Sequence, residues 1–466
     1  MKTYHIWTVG CQVNVADSAK LGAGLRRLGW QPTDRPQDAD FIVVNTCAVR
    51  QNAEDRAAGK LANLRPLKQH NPDLKIAVMG CMVGPKHDAL RERFPYVDAF
   101  AQPQHFDDVI SVLDLPHGAD LGGEFWPAID PESPASVTAY VPVIEGCDKF
   151  CTYCIVPLRR GRERSRPIAE VVREVEAHVA RGIREVTLLG QTVEAYGKDQ
   201  PAVDSATAHA DLSDLMRAIH GIPDLHRIRA LTSYPPDMTD RILQGMAELP
   251  KVCEFFSLPV QSGDDGVLDA MRRGYPTALF EERVAKVRAL MPQVGISTDV
   301  IVGFPGESNA AFHKTLDLLK RLRFDKVHVA AYSPRAGTYA DRKQPDGVPD
   351  DLKKERLHAV EEIQRGISLE INGAHWARTV EVLVESRKPG DDPAPGGTTT
   401  ERLTGRTRSN KLVHFDAPAA RVPTGALVDV HITRTGAWSL QGESLQGDLL
   451  DETQRARQIP VVAMDR

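Results

Sequence analysis

Three cysteines, Cys147, Cys151 and Cys154, stand in the pattern Cys-x-x-x-Cys-x-x-Cys within one short segment of the chain. We call them the loop thiols. Three thiolates on one loop can bind three irons of a cubane [4Fe-4S] cluster and leave the fourth iron without a protein ligand. An open iron can bind a cofactor, so the spacing predicts a cluster that takes part in chemistry.

A structural zinc ion is the alternative, because the pair Cys-x-x-Cys is a common source of zinc ligands. Structural zinc normally takes four ligands, usually from two such pairs, and this chain contains no second Cys-x-x-Cys. The missing fourth ligand favours the iron-sulfur cluster.

Three further cysteines, Cys11, Cys47 and Cys81, each stand immediately after a strand-like run, and we call them the strand-end thiols. The runs span residues 4–9, 41–45 and 75–79. The carboxyl ends of parallel strands meet at one edge of a sheet, so these thiols are expected to converge. A single cysteine there would be an ordinary core residue, but three at equivalent strand ends favour a second cluster. Gly10 and Gly80 precede two of them and are expected to let the backbone approach a bulky inorganic group.

The composition is that of an ordinary globular protein, with 466 residues, 42% of them hydrophobic and 26% charged. At about 150 residues per domain, the length predicts roughly three domains. The formal net charge of -5 excludes binding of nucleic acid by overall charge, so RNA contacts must come from local basic patches. The first residues lack the apolar stretch of a signal peptide and no long apolar run occurs, so a cytoplasmic location is expected. An odd number of cysteines, seven, in such a reducing compartment argues against a disulfide framework.

Three domains are predicted, with residues 1–118 forming a parallel sheet covered by helices and a Pro- and Gly-rich link following at 116–136. Residues 133–372 are predicted to form six β/α units of a partial barrel, with strands at 137–144, 185–189, 227–231, 255–260, 297–302 and 326–331. Residues 373–446 are predicted to form a small antiparallel β-barrel, with strands at 379–384, 403–408, 412–415, 427–432 and 439–441.

Small and polar residues near later strand ends of the central domain are candidates for binding a cofactor. Glycines allow close approach of a ligand, whereas Gln and Ser supply hydrogen bonds for ribose and amino acid groups. The alternative is that these are ordinary turns. The candidates are Gly190, Gln191, Gln261, Ser262 and Gly303, with Tyr153 of the cysteine loop.

Two groups of basic residues are candidates for RNA binding, because arginine pairs with phosphate through two parallel hydrogen bonds. The first group follows the loop thiols and contains Arg159, Arg160 and Arg162; the second lies in the C-terminal barrel and contains Arg402, Arg406, Arg408 and Lys411. The alternatives are a solvated helix start for the first group and a dimerisation or docking barrel for the second.

The motifs together resemble the methylthiotransferases, a radical S-adenosylmethionine (SAM) family, along nearly the whole chain. The resemblance rests on Gly10-Cys11-Gln12-Val13-Asn14, Asn45-Thr46-Cys47, Gly80-Cys81, residues 146–167, 258–263, 298–307 and 332–335. Residues 404–415 resemble the RNA-binding TRAM domain of the tRNA-acting branch.

This resemblance implies an α/β protein with a flavodoxin-like N-terminal domain, a partial (β/α)6 radical SAM barrel and a C-terminal TRAM domain. It implies two [4Fe-4S] clusters, one on the loop thiols that cleaves SAM to a 5'-deoxyadenosyl radical and an auxiliary one on the strand-end thiols. The implied reaction is transfer of a methylthio group to C2 of N6-dimethylallyladenosine at position 37 of tRNA, with one SAM as methyl donor and one as radical source.

The implied partners are a tRNA anticodon stem-loop and an electron donor such as flavodoxin or ferredoxin. No association with a membrane is expected, and the protein is expected to act as a monomer. Two alternatives remain at this point. A methylthiotransferase acting on threonylcarbamoyl-adenosine or on a ribosomal protein would use the same chemistry, although Asn14 and residues 406–414 favour the prenylated adenosine. A non-catalytic iron-sulfur protein that binds RNA is disfavoured because structural sites normally complete their ligand set.

Overall fold

The computed structural model describes residues 1–49, 51–113, 136–200, 210–389, 400–418 and 422–445. Most of the predicted link at 116–136 and the loop at 389–400 lie outside these described residues, as do the predicted boundaries at 118, 133 and 446. None of the helices in these ranges has the length and hydropathy needed to cross a membrane.

The N-terminal domain is a five-stranded parallel sheet with helices on both faces. Its strands are β1 (Thr3–Thr8), β2 (Gln31–Pro32), β3 (Phe41–Thr46), β4 (Lys75–Gly80) and β5 (Ala99–Ala101). Its helices are α1 (Gln12–Arg27), α2 (Gln51–His70), α3 (Asp88–Arg93) and α4 (Phe106–Ile110). The strand order β2-β1-β3-β4-β5 is that of flavodoxin-like folds, as predicted.

Strand β3 lies at the centre of this sheet, and all six of its residues are buried. Phe41 and Val43 pack with Leu21 and Leu25 of α1 on one face, whereas Ile42 and Val44 pack with the α2 side on the other. This alternation follows from the two-residue period of a strand that is covered on both faces.

The central domain alternates strands with helices. Its strands are β6 (Thr138–Pro142), β7 (Ile144–Glu145), β8 (Arg164–Ser165), β9 (Glu185–Leu189), β10 (Arg227–Leu231), β11 (Phe255–Ser257), β12 (Gly295–Val302) and β13 (Lys326–Ala331). Its helices are α5 (Val156–Arg160), α6 (Ile168–Ala180), α7 (Leu212–His220), α8 (Asp240–Ala247), α9 (Asp265–Ala270), α10 (Thr277–Leu290), α11 (Asn309–Leu322), α12 (Tyr339–Lys343) and α13 (Asp350–Gly373).

Six parallel strands form the wall of a partial barrel, in the orders β10-β9-β6 and β11-β12-β13. A bridge between Ile228 and Val252 brings the chain before β11 against β10. Strands β6 and β11 are shorter than predicted. Strand β6 ends at Pro142, and the chain then pairs Ile144 with Ser165 in a separate two-stranded sheet, whereas β11 ends at Ser257.

The C-terminal domain is a closed barrel with the strand order β14-β15-β16-β18-β17. Its strands are β14 (Thr379–Pro389), β15 (Thr400–Arg406), β16 (Leu412–Pro418), β17 (Leu427–Thr435) and β18 (Leu440–Ser444). Strands β16 and β18 are parallel, so the predicted all-antiparallel pairing is wrong for this pair. A Cβ atom on Gly405 or Gly442 would meet the backbone of the neighbouring strand, which explains why both positions lack a side chain.

Candidate active site and metal centres

The three strand-end thiols lie together at the carboxyl edge of the N-terminal sheet. They follow β1, β3 and β4, which are neighbours in that sheet. Cys47 and Cys81 are buried, and Cys11 is exposed. Burial raises the pKa of the Cys81 thiol to about 11, with smaller contributions from Cys47 and Cys11 in the same direction and an opposing one from Arg160.

Gly10 and Gly80 are required by the packing of the protein itself. Both have positive φ angles, +149° and +101°. A Cβ atom on Gly10 would lie 2.9 Å from Cys47 Cβ, and one on Gly80 would lie 2.7 Å from Asn45 Oδ1. The close approach that the sequence predicted is therefore made to neighbouring protein atoms.

Asn14 holds the Cys11 turn against the end of β3. Its Oδ1 accepts hydrogen bonds from Cys11 N at 3.3 Å and Cys11 Sγ at 3.4 Å. Its Nδ2 donates to Asn45 Oδ1 and Thr46 O, both at 3.0 Å. Asn14 is fully buried, so it positions a thiol and cannot select a substrate by contact.

The loop thiols form the second group, at the carboxyl edge of the central barrel. Burial raises the pKa of Cys154 to about 12 and that of Cys147 to about 11. The loop is folded back on itself, with Cys154 N donating to Cys151 O at 3.0 Å and Cys147 N donating to Gly161 O at 3.1 Å. Thiols of this kind keep their protons at neutral pH until a metal replaces them.

Arg273 is a functional candidate that sequence reasoning missed. It is buried, and its Nη1 lies 3.4 Å from Cys151 Sγ, while its Nη2 donates to Pro259 O at 3.1 Å and to Tyr275 Oη at 3.0 Å. The rings of Tyr234 and Tyr275 lie 5.2 and 5.3 Å from the guanidinium carbon. In the sequence it is only the second of two arginines after α9, which gives no signal of its contact with the cysteine loop.

The predicted SAM-binding residues divide into two groups. Tyr153 is beside Cys151 and packs edge-on against Phe304, and Gln261 has φ of +71° with a buried Oε1 that lacks a hydrogen-bond partner among the described residues. Gln191 is half-buried after β9. These three stay predictions as SAM contacts.

The other three have explanations within the protein. A Cβ atom on Gly190 would lie 2.5 Å from Ile144 Cγ2. Ser262 is fully buried, and its Oγ accepts a hydrogen bond from Asp264 N at 3.2 Å. Gly303 has φ of +70°, and its N donates to Glu307 Oε2 at 2.6 Å. Turn and packing geometry accounts for these positions without a ligand.

A polar cluster that the sequence analysis also missed joins the cysteine loop and the segment before β8 to the turns after β9 and β10. Lys149 Nζ lies 2.8 Å from Asp237 Oδ2 and 3.6 Å from Glu163 Oε1. Thr192 Oγ1 donates to the same Glu163 oxygen at 3.2 Å. Nearby, burial raises the pKa of the Glu194 carboxyl to about 7, and its Oε1 has no hydrogen-bond partner among the described residues. Position after parallel strands was the available signal for Thr192, Glu194 and Asp237, whereas Lys149 and Glu163 had none.

The arginines that follow the loop thiols have different environments. Arg160 Nη2 lies 2.8 Å from Asp17 Oδ2 of α1, and only 2% of the Arg160 side chain is exposed, which disfavours its predicted contact with RNA. Arg159 is half-buried, and its Nε donates to Cys81 O at 3.0 Å. Arg162 is 77% exposed and lies over the exposed ring of Phe150.

The basic residues of the C-terminal barrel are similarly divided. Arg408 donates to both carboxylate oxygens of Glu254 at 2.8 Å, and Lys411 Nζ lies 2.5 Å from Asp325 Oδ1. Both side chains are engaged with the central domain, which makes them less available to RNA than the sequence suggested, and their contact with RNA stays a prediction. Arg406 is partly exposed near Glu385, and Arg402 is exposed.

The barrel is docked on the amino ends of the central strands. Arg227 is fully buried, with Nη2 2.7 Å from Glu381 Oε1 and Nη1 donating to Arg406 O at 2.7 Å. Arg229 donates to Arg408 O and Thr407 O, both at 2.7 Å. The docking alternative for this domain is therefore correct for one of its surfaces.

Both thiol sets fit an iron-sulfur cluster by the chemistry of their donors: each supplies three sulfurs and has a guanidinium beside it, Arg273 for the loop thiols and Arg160 for the strand-end thiols. In the ranges the structure describes, no three His, Cys, Asp or Glu side chains meet as ligands of a single metal ion.

Comparison with known proteins agrees with this geometry. Residues 141–319 match the Radical SAM superfamily, and residues 3–102 match a family described as Uncharacterized protein family UPF0004. The fold and the loop thiols thus define a radical SAM protein. A structure of the radical S-adenosylmethionine methyltransferase TsrM from Kitasatospora setae shares this fold, with a TM-score of 0.50 and 15% identity over 71% of this chain and 73% of that one.

Longer matches are found among curated relatives. The tRNA-2-methylthio-N(6)-dimethylallyladenosine synthase of Roseiflexus sp. is 44% identical over 96% of this chain and 90% of its own length, and that of Chloroflexus aurantiacus is 44% identical over 95% and 91%. The chain belongs to this family of radical SAM transferases, which confirms the resemblance seen in the sequence.

Proposed function

We propose that this protein adds a methylthio group to C2 of N6-dimethylallyladenosine at position 37 of tRNA. The relatives that carry this name in the synthase family align with 95–96% of the chain. The target carbon carries an unactivated aromatic hydrogen, which protein acids and bases do not remove at neutral pH, so a radical source is needed. SAM and two [4Fe-4S] clusters supply the methyl group, the radical and the sulfur site.

The observation that carries the proposal is the way α5 joins the two thiol sets. The helix begins two residues after Cys154, and the arginines at its end reach the strand-end thiols: Arg159 donates to Cys81 O, and Arg160 pairs with Asp17. Two three-thiol sets that are tied together so closely suit a reaction that uses both, since the sulfur and the radical must reach one carbon.

Residues of this chain hold the reacting groups in place. Arg273 fixes the Cys151 side of the loop through its bonds to Pro259 and Tyr275, and Asn14 fixes Cys11. We assign Tyr153 and Gln261 to SAM. Tyr153 lies between Cys151 and Cys154 in the cysteine loop, and Gln261 follows β11 with a positive φ and a buried Oε1 that lacks a hydrogen-bond partner among the described residues.

The RNA must present one base out of its stack, as in other enzymes that act on single nucleobases. Unstacking costs a few kcal/mol, and stacking on a protein group returns about 1 to 3 kcal/mol per base. We assign this role to the exposed pair of Phe150 and Arg162, which adjoins the loop thiols, and a phosphate contact to Arg402 of the barrel.

We further propose that the anticodon stem-loop is the substrate, that flavodoxin or ferredoxin supplies electrons, and that the protein acts as a monomer in the cytoplasm. A reducing compartment keeps the cluster thiols available, and tRNA is modified there. These partners follow from the chemistry of the proposed reaction.

The test is nucleoside mass spectrometry of tRNA from cells that lack the gene. N6-dimethylallyladenosine should accumulate without its methylthio group, and the wild-type gene should restore the modification. A gene carrying Cys253→Ala, which removes a buried thiol outside both sets, should restore it as well.

Three outcomes would contradict the proposal. Loss of methylthio from threonylcarbamoyl-adenosine alone, or from a ribosomal protein alone, would move the activity to another substrate. Failure of the reduced, cluster-loaded protein to cleave SAM would leave only a non-catalytic role in RNA binding.

A further inference from the structure

The strand-end thiols of the N-terminal domain face arginines that belong to the central domain. The N-terminal domain supplies all three thiols, whereas the central domain supplies the cations that face them. Arg160 interacts electrostatically with Cys81 and Cys11, Arg159 with Cys81, and Arg335 with Cys47. Thiolates that carry a cluster and an added sulfur anion would accumulate negative charge at a partly buried site, which nearby cations stabilise.

Arg160 is more deeply buried than Arg159 and Arg335, and it is the one of the three that faces two of the strand-end thiols. Its side chain is 2% exposed, and that of its partner Asp17 is 1% exposed. The pair uses Nη2, at 2.8 Å from Asp17 Oδ2, while Nη1 is buried and has no partner with hydrogen-bond geometry among the described residues. The guanidinium also interacts with the Cys81 thiol, so it faces the strand-end thiols directly. Arg159 donates to Cys81 O. Arg335 donates to Gln51 Oε1 through Nη1 and, like Arg160, has a buried nitrogen, Nε, without a hydrogen-bond partner among the described residues, but the thiol it faces is Cys47 alone.

A buried guanidinium nitrogen without a partner is costly, so a site that retains one usually has a ligand for it. The charges around Arg160 identify that ligand as an anion, because the thiols are the groups it faces besides Asp17. Its place in the chain, at the end of α5, means that the same residue also fixes the distance between the two thiol sets.

We propose that Arg160 is a positioning residue for the sulfur anion at the strand-end thiols: Asp17 orients its guanidinium, and Nη1 donates a hydrogen bond to the sulfur presented there. This proposal rests on the proposed function, because it needs a cluster on the strand-end thiols. A hydrogen bond and a positive charge at a cluster both raise its reduction potential.

The test uses the full-length protein carrying Cys151→Ala, which leaves one cluster to be observed. Arg160→Gln, Arg160→Lys and Asp17→Asn are introduced into it, and Arg35→Gln serves as the matched control because Arg35 is an exposed arginine of the N-terminal domain. Each protein is reconstituted without oxygen, its iron is counted, its midpoint potential is measured by EPR-monitored titration, and hydrosulfide binding is followed by absorbance.

Arg160→Gln should lower the midpoint potential and weaken hydrosulfide binding by about tenfold, the loss expected for a hydrogen bond to a charged group. Arg160→Lys should restore part of both quantities, and Arg35→Gln should change neither. Asp17→Asn keeps the Arg160 cation and removes its counter-charge, so the midpoint potential of the cluster should rise. If Arg160→Gln loses its iron, the Asp17→Asn variant provides the test of the Arg160 proposal.

An Arg160→Gln protein with full iron, unchanged potential and unchanged hydrosulfide affinity would overturn the inference. So would an Asp17→Asn protein whose potential stays the same or falls. If the Cys151→Ala parent itself binds no iron, the assignment of a cluster to the strand-end thiols is wrong, and the proposed function fails with it.

Discussion

The Nη1 atom of Arg273 lies 3.4 Å from the Sγ atom of Cys151, within the loop that holds three of the six cysteines proposed to bind clusters. The same guanidinium bonds to Pro259 and Tyr275, so it connects the cysteine loop with the turn after β11. The loop is therefore held by a side chain that lies 122 residues away in the chain.

Arg273→Lys should lower the rate of 5'-deoxyadenosine formation by about tenfold, because an ammonium cannot make the same set of planar contacts. The free energy of unfolding should fall by about 1 to 3 kcal/mol, the usual penalty for buried polar groups that lose a partner. Arg272→Lys is the matched control, since Arg272 is exposed over the ring of Tyr339. Equal rates in the two variants would contradict a role for Arg273 at the loop.

The two thiol sets should be separable by mutation. Cys151→Ala should reduce the iron content from about eight to about four per chain and abolish SAM cleavage. Cys47→Ala should also leave about four irons, yet it should retain 5'-deoxyadenosine formation while losing methylthiolation. Iron analysis and product chromatography measure these quantities, with Cys253→Ala as the control. A Cys151→Ala protein that still cleaved SAM would refute the division of labour.

Glu194 should make stability depend on pH. Burial raises its pKa from 4.5 to about 7, so the unfolded chain releases this proton at a lower pH than the folded protein does. Between those values the folded state holds more protons, and its stability falls as pH rises and then levels off above about 7. The contribution is about 3 kcal/mol over this interval.

The measurement is chemical unfolding of the wild type and of Glu194→Gln at pH 5 and pH 8. Glutamine imitates the protonated carboxyl, so the variant should gain stability over the wild type at pH 8 and match it more closely at pH 5. A difference between the two proteins that does not change with pH would show that Glu194 ionises normally.

Arg402 should bind phosphate, whereas Arg408 should not. Arg402→Ala should weaken tRNA binding and reduce the slope of log affinity against log salt by about one. Arg408→Ala should leave that slope unchanged, because its guanidinium is already paired with Glu254. Filter binding or fluorescence anisotropy at several salt concentrations distinguishes the two, and equal slopes for both variants would refute this assignment.

Arg408 and Glu254 should instead stabilise the docking of the C-terminal barrel. Arg408→Ala should lower the free energy of unfolding of the docked barrel by about 1 to 2 kcal/mol, a value between those of exposed and buried ion pairs. Calorimetry should then resolve an earlier transition for the barrel. The double exchange Arg408→Glu with Glu254→Arg should recover part of the loss, and no recovery would argue that the pair is incidental.

Much of the architecture was predictable because its signals are local. Strands β9, β10 and β13 have the predicted bounds, since each is a short run with clear neighbours. Strand β11 ends at Ser257, three residues earlier than predicted, and the chain then turns away through Gln261, which has a positive φ. The parallel pairing of β16 with β18 was missed because a hydrophobic pattern predicts which residues face inward and not which strand lies alongside.

The positions of the cysteines in the fold were predictable, and the contacts of the residues around them were much less so. Cysteine spacing and position after strands are visible in one dimension. The role of Arg408 depends on Glu254, 154 residues earlier, and that of Arg160 on Asp17, 143 residues earlier. A run of arginines looks the same in the sequence whether its charges meet solvent or a distant carboxylate.

The barrel that contains Arg402 is attached where the central strands begin, and the cysteine loop lies where they end. Strands of five to eight residues separate these two ends by roughly 16 to 26 Å. A free nucleoside can occupy only one of them. A folded stem several base pairs long can span both, so we expect the distance between the two ends to favour a whole stem-loop over a shorter fragment of RNA.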